Sequence, residues 1–85
     1  MESIREGASG AAVEDIQERL GSLGYAIASD ETSAGVFGKS TGTAVARFRL
    51  DHDLPLGDVL DAATWSSLVD ECYQLGDRTL YLRLP

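Results

Sequence analysis

A turn bracketed by two glycines and followed directly by a helix constrains this chain of 85 residues more than any other stretch. Gly35 and Gly38 enclose an aromatic residue, which indicates a tight turn with backbone angles that glycine adopts most readily. Apolar residues then recur at helical spacing as far as Phe48, so the turn is predicted to deliver a helix. Thr41 follows Gly38 by three residues, which predicts that its hydroxyl reaches back to the free amides of the first helical turn.

The same pattern occurs a second time, between Asp58 and Trp65. Asp61 takes the place of Gly38 and is the better helix N-cap, and Thr64 again follows three residues later. Two such units in one short chain predict an all-α fold, a small three-helix bundle built from pseudo-repeated turn-helix units.

The apolar spacing places the three predicted helices near residues 11–23, 39–52 and 62–75. Gly24 and Gly76 are the expected caps at the carboxyl ends of the first and third helices. The predicted core consists of the large apolar residues that fall on one face of these helices or in the turn: Val13, Ile16, Leu20, Phe37, Val45, Phe48, Trp65 and Leu68.

Two segments are predicted to lie outside these helices. Residues 26–34 are polar and short, so we expect a loop there. The tail from Thr79 alternates apolar and polar residues as a half-buried strand does, but no partner strand is evident. We favour a division into one domain over residues 1–76 and a tail or linker over residues 77–85 that leads towards a following domain.

The charge balance excludes several classes of partner. Seven basic and fourteen acidic residues give a formal net charge of −7, which argues against binding to nucleic acid or to an anionic membrane surface. No stretch approaches the ~20 apolar residues of a membrane span. The amino terminus lacks the basic and apolar regions of a signal peptide, so we expect a cytoplasmic protein or a fragment of a longer one.

No catalytic constellation is evident, because the sequence does not combine a nucleophile, a base and a stabilising group. The chain alone is therefore predicted not to be an enzyme and to need no cofactor or metal. Cys72 falls in helical register with Leu68, which favours a core thiol over a nucleophile. Asp51, His52 and Asp53 could ligate a metal or transfer protons, but a solvated helix end is the preferred interpretation.

The order of the motifs resembles the small peptidoglycan-binding domain that bacterial cell-wall hydrolases carry as an accessory module. The resemblance covers roughly Ile4 to Val69. The residues that match the family pattern occur in its order, and most are apolar or glycine: Gly10, Val13, Ile16, Gln17, Leu20, Leu23, Gly24, Tyr25, Gly35, Phe37, Gly38, Thr41, Ala44, Val45, Phe48, Leu54, Thr64, Trp65 and Leu68.

The chain departs from the family pattern in its turns and on its helix faces. Ala34 stands where the family has the aspartate of its first Asp-Gly pair, and the sequence Gly57-Asp58 inverts the second pair. Arg49 replaces a glutamine and Asp53 replaces a glycine. Downstream, residues 70–81 are similar to the junction between tandem modules that precede an amidase-type domain in some N-acetylmuramoyl-L-alanine amidases.

The resemblance implies non-catalytic binding to the glycan or stem peptide of peptidoglycan, which concentrates an attached amidase or other wall hydrolase on its substrate. A secreted hydrolase would place the domain in the cell wall. The candidate ligand-binding residues lie close to the turns: Tyr25, Lys39, Thr41, Arg49, Asp58 and Trp65. The structural alternatives are a cap for Thr41, a core position for Trp65 and solvated charges for Lys39 and Arg49.

Two other functions fit the same fold. A protein-interaction or regulatory module that no longer binds glycan is favoured by the missing aspartate at Ala34 and by the leucines of the tail. An inhibitory prodomain, as in matrix metalloproteinases, is disfavoured because no Pro-Arg-Cys-Gly segment surrounds Cys72.

Overall fold

A computed structural model describes the backbone of residues 3–83 and the side chains of residues 3–73. In this part of the chain, β-pairing is limited to isolated backbone bridges, and no strand of several residues is present. The described backbone forms four helices, α1 (Ala11–Ser22), α2 (Ser29–Ala34), α3 (Lys39–Asp51) and α4 (Ala62–Arg83).

The core lies between α1, α3, the amino-terminal half of α4 and the two turns. Its buried apolar residues are Val13, Ile16, Leu20, Phe37, Ala44, Val45, Phe48, Leu60 and Leu68. Seven of the eight predicted core residues are in this cluster, and Trp65 is partly buried against it. Cys72 also packs against the cluster, and its thiol donates a hydrogen bond to the carbonyl oxygen of Arg19 over 3.7 Å. A structural role for this thiol is consistent with that position.

Two predictions about secondary structure were wrong. Residues 29–34 form the short helix α2 rather than a loop, so the bundle has four helices and not three. α4 does not stop at Gly76, because one glycine inside a helix costs only about 1 kcal/mol relative to alanine. The backbone is helical up to Arg83. The described part of the tail is therefore not a strand, which was the alternative to a linker. Leu84 and Pro85 lie outside the described residues.

None of the helices in the described part is long and apolar enough to cross a membrane.

α1 and α3 are each followed, two residues after their last helical residue, by a residue with left-handed backbone angles. Gly24 follows α1 with φ of 95°, and the amide of Tyr25 bonds to the carbonyl oxygen of Leu20 over 3.0 Å. This geometry is the Schellman motif, and it confirms Gly24 as the cap. α3 ends in the same way at Asp53, which has φ of 56° although it is not a glycine.

The amino-terminal segment, residues 4–8, forms backbone hydrogen bonds with both turns. Ile4 and Leu60 exchange backbone hydrogen bonds of 3.0 and 2.8 Å. Gly7 donates to the carbonyl oxygen of Phe37 over 2.9 Å, and the amide of Phe37 donates to Ala8 over 2.8 Å. The segment therefore pairs with the corresponding position of each turn-helix unit and holds the two turns side by side.

Candidate ligand-binding surface

The first turn of α3 is capped by a carboxylate from another helix. Glu31 of α2 accepts hydrogen bonds from the backbone amides of Gly38 at 3.0 Å, Ser40 at 2.9 Å and Thr41 at 2.9 Å. The Thr41 hydroxyl donates to the same carboxylate over 2.8 Å, so the prediction that it reaches back to its own helix was wrong. Burial opposes the charged form, but the hydrogen bonds from Ser40 and Thr41 prevail and lower the pKa of Glu31 to about 2.

Gln17 of α1 completes this cap from inside the domain. Its Nε2 donates to the carbonyl oxygen of Val36 over 2.9 Å and to the Thr41 hydroxyl over 3.2 Å. Thr41 is fully buried, and its hydroxyl both donates and accepts within the protein. The position of Thr41 therefore suits a structural role, not contact with a ligand.

The second turn-helix unit is held by an arginine. Asp61 accepts hydrogen bonds from the amide and the hydroxyl of Thr64 over 2.9 and 2.6 Å, which confirms Asp61 as the N-cap. Nη1 of Arg49 donates to Thr64 over 2.8 Å and to the Val59 carbonyl oxygen over 2.9 Å. Its Nε donates to the carbonyl oxygen of Pro55 over 2.8 Å. Arg49 is only 6% exposed, so its interpretation as a solvated charge was wrong.

The outer face of α3 borders a groove that we call the α1–α3 groove. Tyr25 lies half-buried in it, donates its hydroxyl to Asp51 over 2.6 Å and packs edge-on against Phe48. Burial, with the nearby Asp51 carboxylate, raises the pKa of Tyr25 to about 12, so its hydroxyl keeps its proton at neutral pH. The groove has a volume of about 510 Å³ and is lined by Leu23, Gly24, Tyr25, Ala26, Thr43, Ala44, Arg47 and Asp51.

A second groove lies on the other side of α3, against the second turn, and we call it the α3–turn groove. Lys39 and Asp58, which the sequence placed close to the turns, both line this groove. Leu50 and Leu56 give it an apolar edge, with exposed fractions of 62% and 84%. Its volume is about 440 Å³, and its lining is Glu6, Lys39, Gly42, Thr43, Ala46, Arg47, Leu50, Leu56, Gly57 and Asp58.

A polar stripe along α3 connects the two grooves. Thr43 and Arg47 line both of them, so the grooves adjoin across the helix. Lys39, Thr43, Arg47 and Asp51 follow one another at intervals of four residues, which places them on one helix face. Only Lys39 among them was a candidate ligand-binding residue from the sequence, and Asp51 was considered there only for metal binding or proton transfer. That regular spacing of polar side chains was the signal by which the other three could have been found.

Trp65 lies apart from this surface, on α4. The Arg19 guanidinium stands 5.4 Å from the centre of its ring and pairs with Asp15 over 3.1 Å. A shallow concavity beside the ring is lined by Trp65, Ser66, Val69, Asp70 and Tyr73. The structure thus groups Tyr25, Lys39 and Asp58 around α3 and separates them from Trp65.

The Asp51 and His52 side chains at the end of α3 contact aromatic residues of the domain. Asp51 accepts the Tyr25 hydroxyl, and the His52 ring lies 4.2 Å from that of Phe48. Among the described residues, no group of three or more potential ligands is arranged to hold a metal ion.

Comparison with known proteins identifies the fold. Residues 9–68 match the family described as "Putative peptidoglycan binding domain". The chain belongs to this peptidoglycan-binding domain family. The match includes α1, α2, α3, both turns and the start of α4, and with them every lining residue of the two grooves except Glu6. A search of curated proteins finds no match.

Three solved structures resemble the domain. The N-terminal domain of SleB is 32% identical with a TM-score of 0.76, and the match covers 84% of this chain and 93% of that one. A fused zinc-dependent amidase/peptidase/peptidoglycan-binding domain-containing protein from Clostridium acetobutylicum is 34% identical with a TM-score of 0.70, over 79% of this chain and 28% of that one. A peptidoglycan-binding protein from Clostridioides difficile, in complex with glutamine hydroxamate, is 33% identical with a TM-score of 0.70, over 79% of this chain and 40% of that one.

Proposed function

We propose that the domain binds peptidoglycan through the two adjoining grooves of α3 and carries out no chemistry on it. The observation that supports this site is the lining shared by the grooves: Thr43 and Arg47 join the groove of Tyr25 to the groove of Lys39 and Asp58. An extended polymer lying across α3 can contact all of these side chains at once. Thr41 and Arg49 are excluded from the proposed site because they are buried and hydrogen-bonded internally.

The chemistry of this surface suits a polymer of amino sugars and short peptides. Hydroxyl, ammonium, guanidinium and carboxylate groups alternate with small apolar side chains along the grooves, so hydrogen bonds and ring or methyl contacts are both available. Both grooves are shallow, and we expect dissociation constants of about 10–1000 µM, which correspond to ~4–7 kcal/mol of net binding free energy. Because the net charge is −7, binding rests on these local groups and survives moderate salt.

The wider role that we propose is the targeting of a wall hydrolase in the same protein. A structural relative from Clostridium acetobutylicum joins a domain of this kind to an amidase/peptidase. Tethering of this kind raises the local concentration of an enzyme at its polymer without any new catalytic contact. Residues 77–85 would then lead towards the following domain, and the protein would act in the cell wall.

Co-sedimentation with purified sacculi tests the binding function. We expect the wild-type chain to sediment at low and at moderate salt, and the Tyr25→Ala, Lys39→Ala double variant to remain in the supernatant. The matched control is Arg5→Ala, Tyr73→Ala, which removes the same number of aromatic and cationic side chains at exposed positions outside both grooves. Thermal melting of each variant verifies that it is folded.

Two results would contradict the proposal. If the wild type stays in the supernatant at all salt concentrations, the domain is a protein-interaction module, for which the exposed Leu50 and Leu56 provide an apolar contact surface. If the double variant sediments as well as the wild type, the binding site lies outside the α3 grooves.

A further inference from the structure

Opposite charges line the α1–α3 groove one helical turn apart. Arg47 and Asp51 are four residues apart on α3, and both face this groove. None of the ion pairs formed by the described side chains involves Arg47. Asp51 receives the Tyr25 hydroxyl on Oδ2, which fixes the carboxylate and leaves Oδ1 without a hydrogen bond from a described side chain. The groove therefore offers a cation and a carboxylate oxygen to a ligand.

The two halves of peptidoglycan differ in charge. Its sugar rings present hydroxyl and N-acetyl groups, which are neutral, whereas its stem peptides carry free carboxylates and amines. The groove walls beside the charged pair are aliphatic, from Leu23, Ala26 and Ala44, and suit the methylene chain of an amino acid. A volume of about 510 Å³ lies within the range of small-ligand sites, roughly 300–1000 Å³, so a few amino-acid residues fit.

We propose that the α1–α3 groove takes the charged end of a stem peptide, with a peptide carboxylate on Arg47 and a side-chain ammonium on Asp51. This inference rests on the proposed function and assigns the peptide, rather than the glycan, to one of its two grooves. Tyr25 is a positioning residue in this arrangement, because its hydroxyl holds the Asp51 carboxylate while its ring forms part of the wall.

Titration monitored by amide chemical shifts tests the assignment with three defined probes. The first is the tetrapeptide N-acetyl-L-Ala-γ-D-Glu-L-Lys-D-Ala, with a free lysine amine and a free terminal carboxylate. The second is the same peptide with the amine acetylated and both carboxylates, that of γ-D-Glu and that of the terminus, amidated, and the third is tetra-N-acetylchitotetraose, which is uncharged. We expect the free tetrapeptide to shift amides around Tyr25 and Arg47, and the blocked peptide to bind about tenfold more weakly.

Charge-neutral variants locate the contacts. Arg47→Gln and Asp51→Asn are each expected to weaken tetrapeptide binding about tenfold while leaving the melting temperature nearly unchanged. The matched controls Arg5→Gln and Asp70→Asn make the same charge changes at exposed positions outside this groove and should bind as the wild type does.

The inference and the proposed function fail in different ways. Equal affinity for the free and blocked peptides, or wild-type affinity in the folded Arg47→Gln and Asp51→Asn variants, overturns the peptide assignment. Sedimentation with sacculi without any response to the tetrapeptide also overturns it, and the proposed function stands. A wild-type chain that does not sediment with sacculi overturns the proposed function itself.

Discussion

The two turn-helix units form the same hydrogen-bond pattern with different residues. In the first unit, the buried threonine donates to Glu31 from α2 and accepts from Gln17 of α1. In the second, the corresponding threonine donates to Asp61 at its own helix start and accepts from Arg49 of α3. One carboxylate comes from a separate helix, and the other comes from the local N-cap.

The difference shows what α2 contributes although it buries none of its residues. A Cβ atom built on Gly38 would lie only 2.6 Å from the carboxyl carbon of Glu31. The Glu31 carboxylate thus occupies the space that the side chain of Asp61 occupies in the second unit. α2 supplies this group, so the first unit takes its capping carboxylate from another helix, whereas the second takes it from its own N-cap.

Truncating the apolar residue of each turn should have the largest effect on stability. Phe37 and Leu60 occupy corresponding positions, and both are completely buried. We expect Phe37→Ala to lower the free energy of unfolding by about 3–5 kcal/mol and Leu60→Ala by about 2–4 kcal/mol, because the larger ring leaves the larger cavity. Urea denaturation measures both. A smaller loss for Phe37→Ala would show that the second turn dominates the core.

Replacing Arg49 tests whether the second unit can adopt the chemistry of the first. Arg49→Leu leaves the buried Thr64 hydroxyl and Val59 carbonyl without their donor, and we expect a loss of about 2–4 kcal/mol. Arg49→Gln can restore both bonds, as Gln17 does in the first unit, and should cost only about 1 kcal/mol. Equal losses for the two variants would disprove the equivalence of Gln17 and Arg49.

A double-mutant cycle can convert the first unit to the local cap of the second. Glu31→Ala should cost about 1–2 kcal/mol because three amides of the α3 start lose their acceptor. Gly38→Asp alone should also destabilise, because the new side chain meets Glu31. The double variant should be more stable than the sum of the single effects predicts, by about 1–3 kcal/mol. Additive losses in thermal melting would contradict the shared position.

The pH dependence of the melting temperature should distinguish the contribution of the Glu31 carboxylate from that of the Asp61 carboxylate. Hydrogen bonds lower the pKa of Asp61 from 3.8 to about 2, mainly those from Thr64, and Glu31 is lowered from 4.5 to about 2. Both groups have depressed pKa values in the folded state, so their stabilisation is complete above the unfolded values and is lost as the pH falls towards 2. We expect Glu31→Gln to make the melting temperature less dependent on pH from about pH 5 downwards, and Asp61→Asn to do so from a slightly lower pH.

The control for this experiment is Glu18→Gln, which removes a carboxylate at an exposed position of α1. It should leave the pH profile as steep as that of the wild type. A Glu31→Gln profile that coincides with the wild-type profile would show that the cap across the two helices contributes no acid sensitivity.

The smallest effect concerns the helix ends that precede the turns. Asp53 adopts a left-handed conformation where α1 has Gly24, and the amide of Leu54 bonds to the Arg49 carbonyl oxygen over 2.9 Å. We expect Asp53→Gly to stabilise the domain by about 0.5–1 kcal/mol, and Gly24→Asp to destabilise it by about 1 kcal/mol. A drop in melting temperature for Asp53→Gly would indicate that the aspartate makes a compensating interaction.

The sequence predicted the elements whose signals are local. α1, α3 and the start of α4 follow from apolar spacing, and Asp61 follows from its position three residues before Thr64. α2 was missed because its six residues have no apolar face, and its stabilising contact is with another helix. The burial of Arg49 was missed for a similar reason, since its main acceptors come from the next turn and become neighbours only after folding.

The surface that we propose for ligand binding was predictable only in part. Tyr25, Lys39 and Asp58 lie near turns and were candidates from the sequence, but the sequence could not place them in two grooves that adjoin across α3. Thr41 was included because a hydroxyl near a turn has the same sequence signature whether it faces solvent or Gln17. Distinguishing the two requires knowledge of which helix covers the turn.

The pairing of the amino-terminal segment with both turns has a consequence for the rate of folding. Ile4 finds its hydrogen-bonding partner Leu60 only after the chain has closed a loop that includes α1, α2 and α3. Contacts of such wide sequence separation slow folding, because the entropy of loop closure is lost before the contact forms. During synthesis, the segment therefore emerges before Leu60 and pairs with it only later, so the two turns reach their final arrangement late. Lengthening the connection between α1 and α3 should accordingly slow folding more than it lowers equilibrium stability, since each doubling of a flexible loop costs only about 0.6 kcal/mol.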